Sequence, residues 1–115
     1  MELKRLFDCL AYNLEKNPIP DMLNEKESGR WKNYSTAEVA EMVDKISAGL
    51  LALNISKGDM TPEKRDKVAI LSKNRPEWVM VDLAVQQIGA ILTPIYPTIN
   101  VNELEFVLND AEVKL

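Results

Sequence analysis

Side chains able to carry out chemistry are scarce in this sequence. It contains no histidine, which excludes imidazole metal ligation, histidine general-base work and every Ser-His-Asp or Cys-His arrangement within the chain. Its one cysteine, Cys9, excludes an internal disulfide and any zinc site built from several thiolates. Cys9 falls near the Leu3/Leu6/Leu10 stripe without a cationic neighbour and is read as packing. Gly29, Gly49, Gly58 and Gly89 are too widely spaced to write a phosphate-binding loop or a dinucleotide fingerprint. The acidic pairs Glu38/Glu41 and Glu103/Glu105 are better explained as solvated helix faces than as acid–base machinery. Trp31 and Trp78 could stack on a base or a lipid, yet each sits in an otherwise apolar pattern, so core or interface burial is expected of both. Two short polar clusters remain, Ser72-Lys73-Asn74-Arg75 and Tyr96-Pro97-Thr98 with Asn100, and their value depends on where the fold puts them.

The elements that must position them can be read from spacing. Leu3, Leu6, Phe7, Leu10 and Leu14 recur at three- and four-residue steps, predicting an amphipathic helix that ends at Asn17-Pro18-Ile19-Pro20. Its polar face mixes Lys4, Arg5 and Lys16 with Asp8 and Glu15, which suits packing on protein better than lying on a membrane. Residues 21–34 predict a hairpin, with strands from Asp21 to Glu25 and from Trp31 to Tyr34 around a Glu27-Ser28-Gly29-Arg30 turn. An isolated ribbon is marginal in water, so it should dock on something else. Ser35-Thr36-Ala37-Glu38 has capping-box spacing, followed by Val39, Met42, Val43, Ile46, Leu50 and Leu53 at helical period.

Asn54 to Lys67 reads as a polar, solvated loop. Val68 to Leu71 is a short apolar run of the kind found in a buried parallel strand. A helix follows, capped by Asn74, with Pro76 in its first turn and Gly89 as its C′ residue. Ala90 to Tyr96 predicts a second strand, Asn102 to Asp110 a helix with Leu104, Val107 and Leu108 inward, and Val113 to Leu115 the start of a third strand. The order from Lys67 is β-α-β-α-β, which argues for a parallel sheet with right-handed crossovers. In such sheets ligands bind beyond the carboxyl ends of the strands, where the two polar clusters would lie side by side. Exposed amides with Lys73 and Arg75 could attract an anion. The ordinary reading is preferred: Asn74 caps, and both cations are solvated, because no glycine lets the backbone wrap a phosphate.

Composition bounds the rest. The chain has 115 residues, 46% hydrophobic and 28% charged, with 14 basic against 18 acidic side chains and a formal net charge of −4. These values fit an ordinary globular domain and argue against a general nucleic-acid binder, which usually carries a basic stripe. No apolar run is long enough to span a bilayer, and Met1-Glu2-Leu3-Lys4-Arg5 does not open a signal peptide. A cytoplasmic domain is expected, with peripheral membrane association left open. Ending on the first residues of a buried strand implies that the chain continues in its natural form.

Asp66-Lys67-Val68-Ala69-Ile70-Leu71-Ser72-Lys73-Asn74-Arg75-Pro76-Glu77-Trp78 is followed by Asp82-Leu83-Ala84 and then by Gly89-Ala90-Ile91-Leu92-Thr93-Pro94-Ile95-Tyr96-Pro97-Thr98. This succession resembles the N-terminal region of AMP-forming acyl-CoA synthetases, in particular the long-chain fatty acid–CoA ligases. Trp31 to Tyr34 with Ser35 to Val39 resembles the aromatic strand and capped helix that open the same adenylate-forming domain, and the likeness runs from about Leu6 to Leu115. The resemblance implies an α/β fold: residues 1–34 form a helix plus hairpin and residues 35–115 a parallel-sheet unit, together the N-terminal part of an AMP-binding domain. It implies a parent enzyme that uses ATP and magnesium to convert a fatty acid to an acyl-adenylate and then passes the acyl group to coenzyme A. A carboxylate is a poor electrophile, and a mixed anhydride with AMP supplies the leaving group it lacks. The family's Ser/Thr/Gly-rich phosphate loop, acidic magnesium residue and C-terminal lysine have no counterpart here, so the chain by itself is expected to be inactive, with no catalytic or metal-binding residue and no tight cofactor.

One carry-over concerns the turn Tyr96-Pro97-Thr98, which in related synthetases lies near the coenzyme A nucleotide. Short-chain relatives have a Phe-Gly-Gly-like stretch there, and Pro97 and Thr98 depart from it, which leaves an aromatic contact from Tyr96. A stand-alone, non-catalytic α/β interaction module is the alternative. A receiver-like phosphoacceptor is discounted because the first parallel strand ends in Ser-Lys-Asn rather than in acidic residues. Three strands and four helices cannot cover both faces and edges of a parallel sheet, so self-association is also expected.

Overall fold

The computed structural model describes residues 2–115. Proline and a single carboxylate shape its first segment. Helix α1 spans Asp8–Lys16, so the expected helix loses its first turn. The cause is Asp8: its carboxylate accepts the Lys4 and Arg5 amides at 3.2 and 2.9 Å and the Arg5 guanidinium at 2.8 Å, winding residues 4–7 into a tight turn instead. Leu3 and Leu6 are therefore exposed rather than part of a buried stripe, and Leu10 is the buried anchor. Cys9, expected to pack, is exposed, since the neighbouring Asp8 and Leu10 take the inward positions. Beyond Pro18 the backbone of Ile19 is held to the buried Thr36, whose amide donates to the Ile19 carbonyl at 3.0 Å while its hydroxyl accepts the Ile19 amide at 3.1 Å.

Strands β1 (Leu23–Glu27) and β2 (Arg30–Tyr34) form the hairpin, with Leu23 opposite Tyr34 and Glu27 opposite Arg30. Ser28 and Gly29 both have positive φ, 50° and 79°, which is the type I′ geometry that matches strand twist. Met22, Leu23 and Tyr34 pack on the core, so the ribbon docks as expected. Trp31 does not join them and is 66% exposed. It pairs across the strands with Lys26, on the face opposite Leu23 and Tyr34, because alternate residues of a strand point to opposite sides.

Helix α2 (Thr36–Ala52) starts at the expected capping box: the Glu38 amide donates to the Ser35 hydroxyl and the Ser35 amide to the Glu38 carboxylate, both at 3.1 Å. Val39, Val43, Ser47 and Leu50 run down its buried face, which turns Met42 and Leu53 outward. Strand β3 (Lys67–Leu71), helix α3 (Pro76–Gln87) and strand β4 (Ile91–Ile95) follow, with Lys67 beside Ile91 and Leu71 beside Ile95 in parallel register. Pro94 is tolerated inside β4. The Ile91 amide bonds the Asp66 carbonyl at 2.9 Å, so alternate amides face β3 and the one proline lacks would have faced the outer edge.

Helix α4 (Val101–Asp110) is capped by Asn100, which accepts the Glu103 amide at 2.9 Å. Val113 then bridges to Lys67 in parallel sense, with the Lys114 amide on the Lys67 carbonyl at 2.9 Å and the Ala69 amide on the Leu115 carbonyl at 2.8 Å. Strand β3 is therefore central. The two crossovers step to opposite sides of it, so right-handed connections put α3 and α4 on opposite faces of the sheet.

The core lies on the α3 side, where Val39, Val43 and Leu50 of α2 meet Met80, Ala84 and Val85 of α3 above Val68. The buried Ser47 hydroxyl donates to the Ala84 carbonyl at 3.2 Å and accepts from Gln87 at 3.1 Å. On the other face α4 sits loosely: Ala69, Leu71 and Ile95 of the sheet and Leu104, Leu108 and Val113 line an open groove of about 400 Å³. The radius of gyration, 15.6 Å, exceeds the roughly 13 Å of a compact 100-residue domain, and the molecule is only 23 Å thick. No helix among the described residues is long and apolar enough to cross a membrane.

Candidate functional site

The carboxyl ends of β3 and β4 open into a cleft of about 360 Å³. It is lined by Ser72 and Asn74 after β3, Trp78 in the first turn of α3, and Pro94, Ile95, Tyr96 and Pro97 at the end of β4. Ser72 and Asn74 of one polar cluster and Tyr96 and Pro97 of the other thus meet at the carboxyl end of the sheet, as a parallel β-α-β unit requires, whereas Lys73, Arg75, Thr98 and Asn100 do not line the cleft. Trp78 is half-buried, and Tyr96 is 83% exposed. Thr98 is exposed beyond the turn, and Ile99 closes that turn by donating its amide to the Tyr96 carbonyl at 3.1 Å. Trp78, Pro94 and Ile95 were not anticipated as lining residues. Their only signal was position, at the ends of elements whose polarity the β-α-β order already set.

Asn74 is not the cap of α3. The helix begins at Pro76 with Arg75 as its N-cap residue, and no side chain bonds the first amides. Asn74 lies one position too early to reach them, and the proline at the first helical position lacks one of the amides that would need satisfying. Its carboxamide makes no hydrogen bond within the described residues and is left at the cleft.

The two cations differ. Arg75 donates to the Glu77 carboxylate at 3.0 Å, and that contact raises the guanidinium pKa above its ordinary value. Glu77 is held below the ordinary carboxylate range, by its own backbone amide first and by Arg75 as well. Lys73 is exposed, forms no ion pair among the described residues and does not line the cleft.

The opposite end of the sheet is occupied by structure. The loop after α2 folds back on itself: Asp66 accepts the Ser56 amide at 2.6 Å and the Lys114 ammonium at 3.1 Å, and these contacts, the amide first, depress its pKa. Arg65 forks onto the Gly89 and Ala90 carbonyls at 2.7 and 3.2 Å, closing the turn between α3 and β4. Gly89 has φ +81°, and a Cβ there would come within 2.8 Å of the Lys57 side chain, so this turn needs glycine twice over.

The parallel pair β3 and β4, extended by the bridge at Val113, with helices on both faces and a cleft at the strand ends, makes an open α/β unit. Residues 13–115 match the family model described as AMP-binding enzyme, and the chain belongs to that family. It is 33% identical over 84 residues to the long-chain-fatty-acid–CoA ligase FadD15 of Mycobacterium bovis, an alignment covering 73% of this chain and 13% of that protein. The fold is shared with the fatty acid AMP ligase of Legionella pneumophila, with a TM-score of 0.79 and 16% identity over 97% of this chain and 19% of that one. It is likewise shared with the N-terminal subdomain of Klebsiella oxytoca NpsA, with a TM-score of 0.73 and 23% identity over 97% of this chain and 26% of that one. The chain therefore spans well under a third of the proteins it matches. The residues present do not fit the magnesium ion such enzymes imply. The described residues hold no group of three His, Cys, Asp or Glu side chains able to bind a metal, and no carboxylate lines the cleft.

Proposed function

We propose that this chain is the N-terminal part, residues 1–115, of an AMP-binding domain in an ATP-dependent long-chain fatty acid–CoA ligase. Such an enzyme turns a fatty acid, ATP and coenzyme A into acyl-CoA, AMP and pyrophosphate. The observation that carries the reading is the family match over residues 13–115, with the cleft of that matched region at the carboxyl ends of its parallel strands. The long-chain ligase FadD15, at 33% identity, supports the choice of acid. Within the ligase these residues supply scaffold and one wall of a cleft, with the Tyr96-Pro97-Thr98 turn, whose Tyr96 and Pro97 line it, toward coenzyme A, and with the exposed Lys73, more than the Glu77-paired Arg75, toward an anionic group. Magnesium, the phosphate grip and the reacting acid are handled by other parts of the ligase, and this chain by itself turns over no ATP. The reading places the ligase in the cytoplasm, where ATP and coenzyme A are found, with any membrane contact peripheral.

ATP–pyrophosphate exchange tests this. A longer natural protein bearing this segment should catalyse exchange only when a fatty acid is added, with the highest rate for long chains, and the 115-residue chain should show none. Conversion of ATP to AMP by the 115-residue chain with a fatty acid would overturn the assignment of chemistry to other segments. Absence of acid-dependent exchange in the longer protein would favour a non-catalytic interaction module.

A further inference from the structure

We infer that the outward face of α4 is a docking surface for a second protein, one that brings lysine or arginine side chains around an apolar cup for Phe106. The inference goes beyond the ligase reading and does not need it. It starts from where the charge lies. Of the 18 acidic side chains, Glu103, Glu105, Asp110 and Glu112 fall on α4 and the turn that ends it, a stretch with no lysine or arginine. These four account for the whole net charge of −4, so over the rest of the chain the two signs balance. None of the four is ion-paired among the described residues. The last turn of the helix, where a cation would oppose the negative end of the macrodipole, holds Asp110 instead. The helix has two faces. Leu104 and Leu108 turn toward the sheet and line the groove there. Asn102, Glu105, Phe106 and Asn109, at the three- and four-residue steps of one face, line a separate shallow depression of about 500 Å³ with Asp110. Phe106 stands in it 68% exposed. An exposed ring bordered by carboxylates and carboxamides has the makeup of an interface anchor: the aromatic side chain supplies binding energy, and the charge around it steers and selects the partner. A surface of one negative sign selects a basic partner. It also rejects a second copy of this chain, since pairing two such faces sets four negative charges against four.

The test titrates the 115-residue chain with an amphipathic helical peptide of leucine and lysine, and separately with its leucine–glutamate counterpart, following the α4 amides and the Phe106 ring by heteronuclear NMR. The leucine–lysine peptide should shift residues 102–110, and added salt should weaken its binding. Phe106→Ala, a change at an exposed position, should weaken that binding about ten-fold, and Glu105→Gln with Asp110→Asn about three-fold. The leucine–glutamate peptide should leave residues 102–110 unmoved. Equal binding of the two peptides, shifts confined to the groove beneath α4 or to Leu3 and Leu6, or unchanged affinity in Phe106→Ala overturns the surface. Self-association that is lost in Phe106→Ala would make the occupant a second copy and overturn the basic partner. A longer natural protein bearing this segment should bind the leucine–lysine peptide with the same dependence on Phe106. Binding by the 115-residue chain but not by the longer protein would mean that the longer protein covers the face itself, which overturns the assignment to a second protein.

Discussion

The Asp8 carboxylate gathers the Arg5 guanidinium and the amides of Arg5 and Lys4 around one short side chain. These contacts, the guanidinium first, favour the ionised form and hold its pKa at about 2 against an ordinary 3.8. A carboxyl whose pKa is lower in the folded state stabilises above its unfolded value, and that contribution is lost as pH falls from about 4 through 2. Carbon-detected NMR titration should find the Asp8 midpoint near the lower value, with the Lys4 and Arg5 amides shifting in step. A midpoint at the ordinary value would mean that the turn over residues 4–7 does not form. Arg5 also sits over the Phe7 ring, 4.5 Å from its centroid, so Asp8→Asn should free the Arg5 guanidinium while leaving that second contact in place. Single residues are where sequence reading fared worst. Cys9, Leu3, Leu6 and Trp31 are exposed, and Asn74 is not a cap, because a periodic pattern gives the face of a residue only once the end of its element is known. The Arg65 fork and the Asp66–Lys114 pair left no local trace, since their partners lie 24 to 48 positions away.

At the scale of elements the fold was legible in the sequence, for reasons that are themselves local. The Ser35/Glu38 box, the positive-φ pair Ser28-Gly29, the first-turn Pro76 and the left-handed Gly89 each act over four residues or fewer, so the chain alone specifies them. Ser35→Ala should cost about 1 kcal/mol, measured as a shift in the urea midpoint with the slope unchanged. Because α2 carries Val39, Val43 and Leu50 into the core, the loss should appear as global unfolding and not as fraying of one helix end. Fast amide exchange confined to residues 36–39, with the midpoint unmoved, would show that the box is decorative. The candidate site became legible at this same scale. The order β-α-β placed Ser72 and Asn74 beside Tyr96 and Pro97, while the choice between Lys73 and Arg75 had to wait for the Glu77 contact.

The whole molecule is a thin plate whose faces are unequally finished. One face of the sheet is sealed by α2 and α3. The other holds a groove under α4, with Leu71 48% and Leu115 50% exposed. Apolar surface of this kind favours association in water. Sedimentation velocity over a concentration series should therefore show reversible dimers or larger species of the 115-residue chain. A monodisperse monomer with a sharp melt at high temperature would count heavily against this view of the α4 face.

The sheet keeps its two ends apart. Arg65, Asp66 and Lys114 fasten the end opposite the cleft, and the tip of that loop, Thr61 to Lys64, is exposed beyond them. Extra residues spliced into the tip would lie a full strand length from Asn74 and Tyr96. An epitope or a dye could be mounted there to report on the molecule without disturbing its ligand end, and descendants could lengthen or trim that loop with the same impunity.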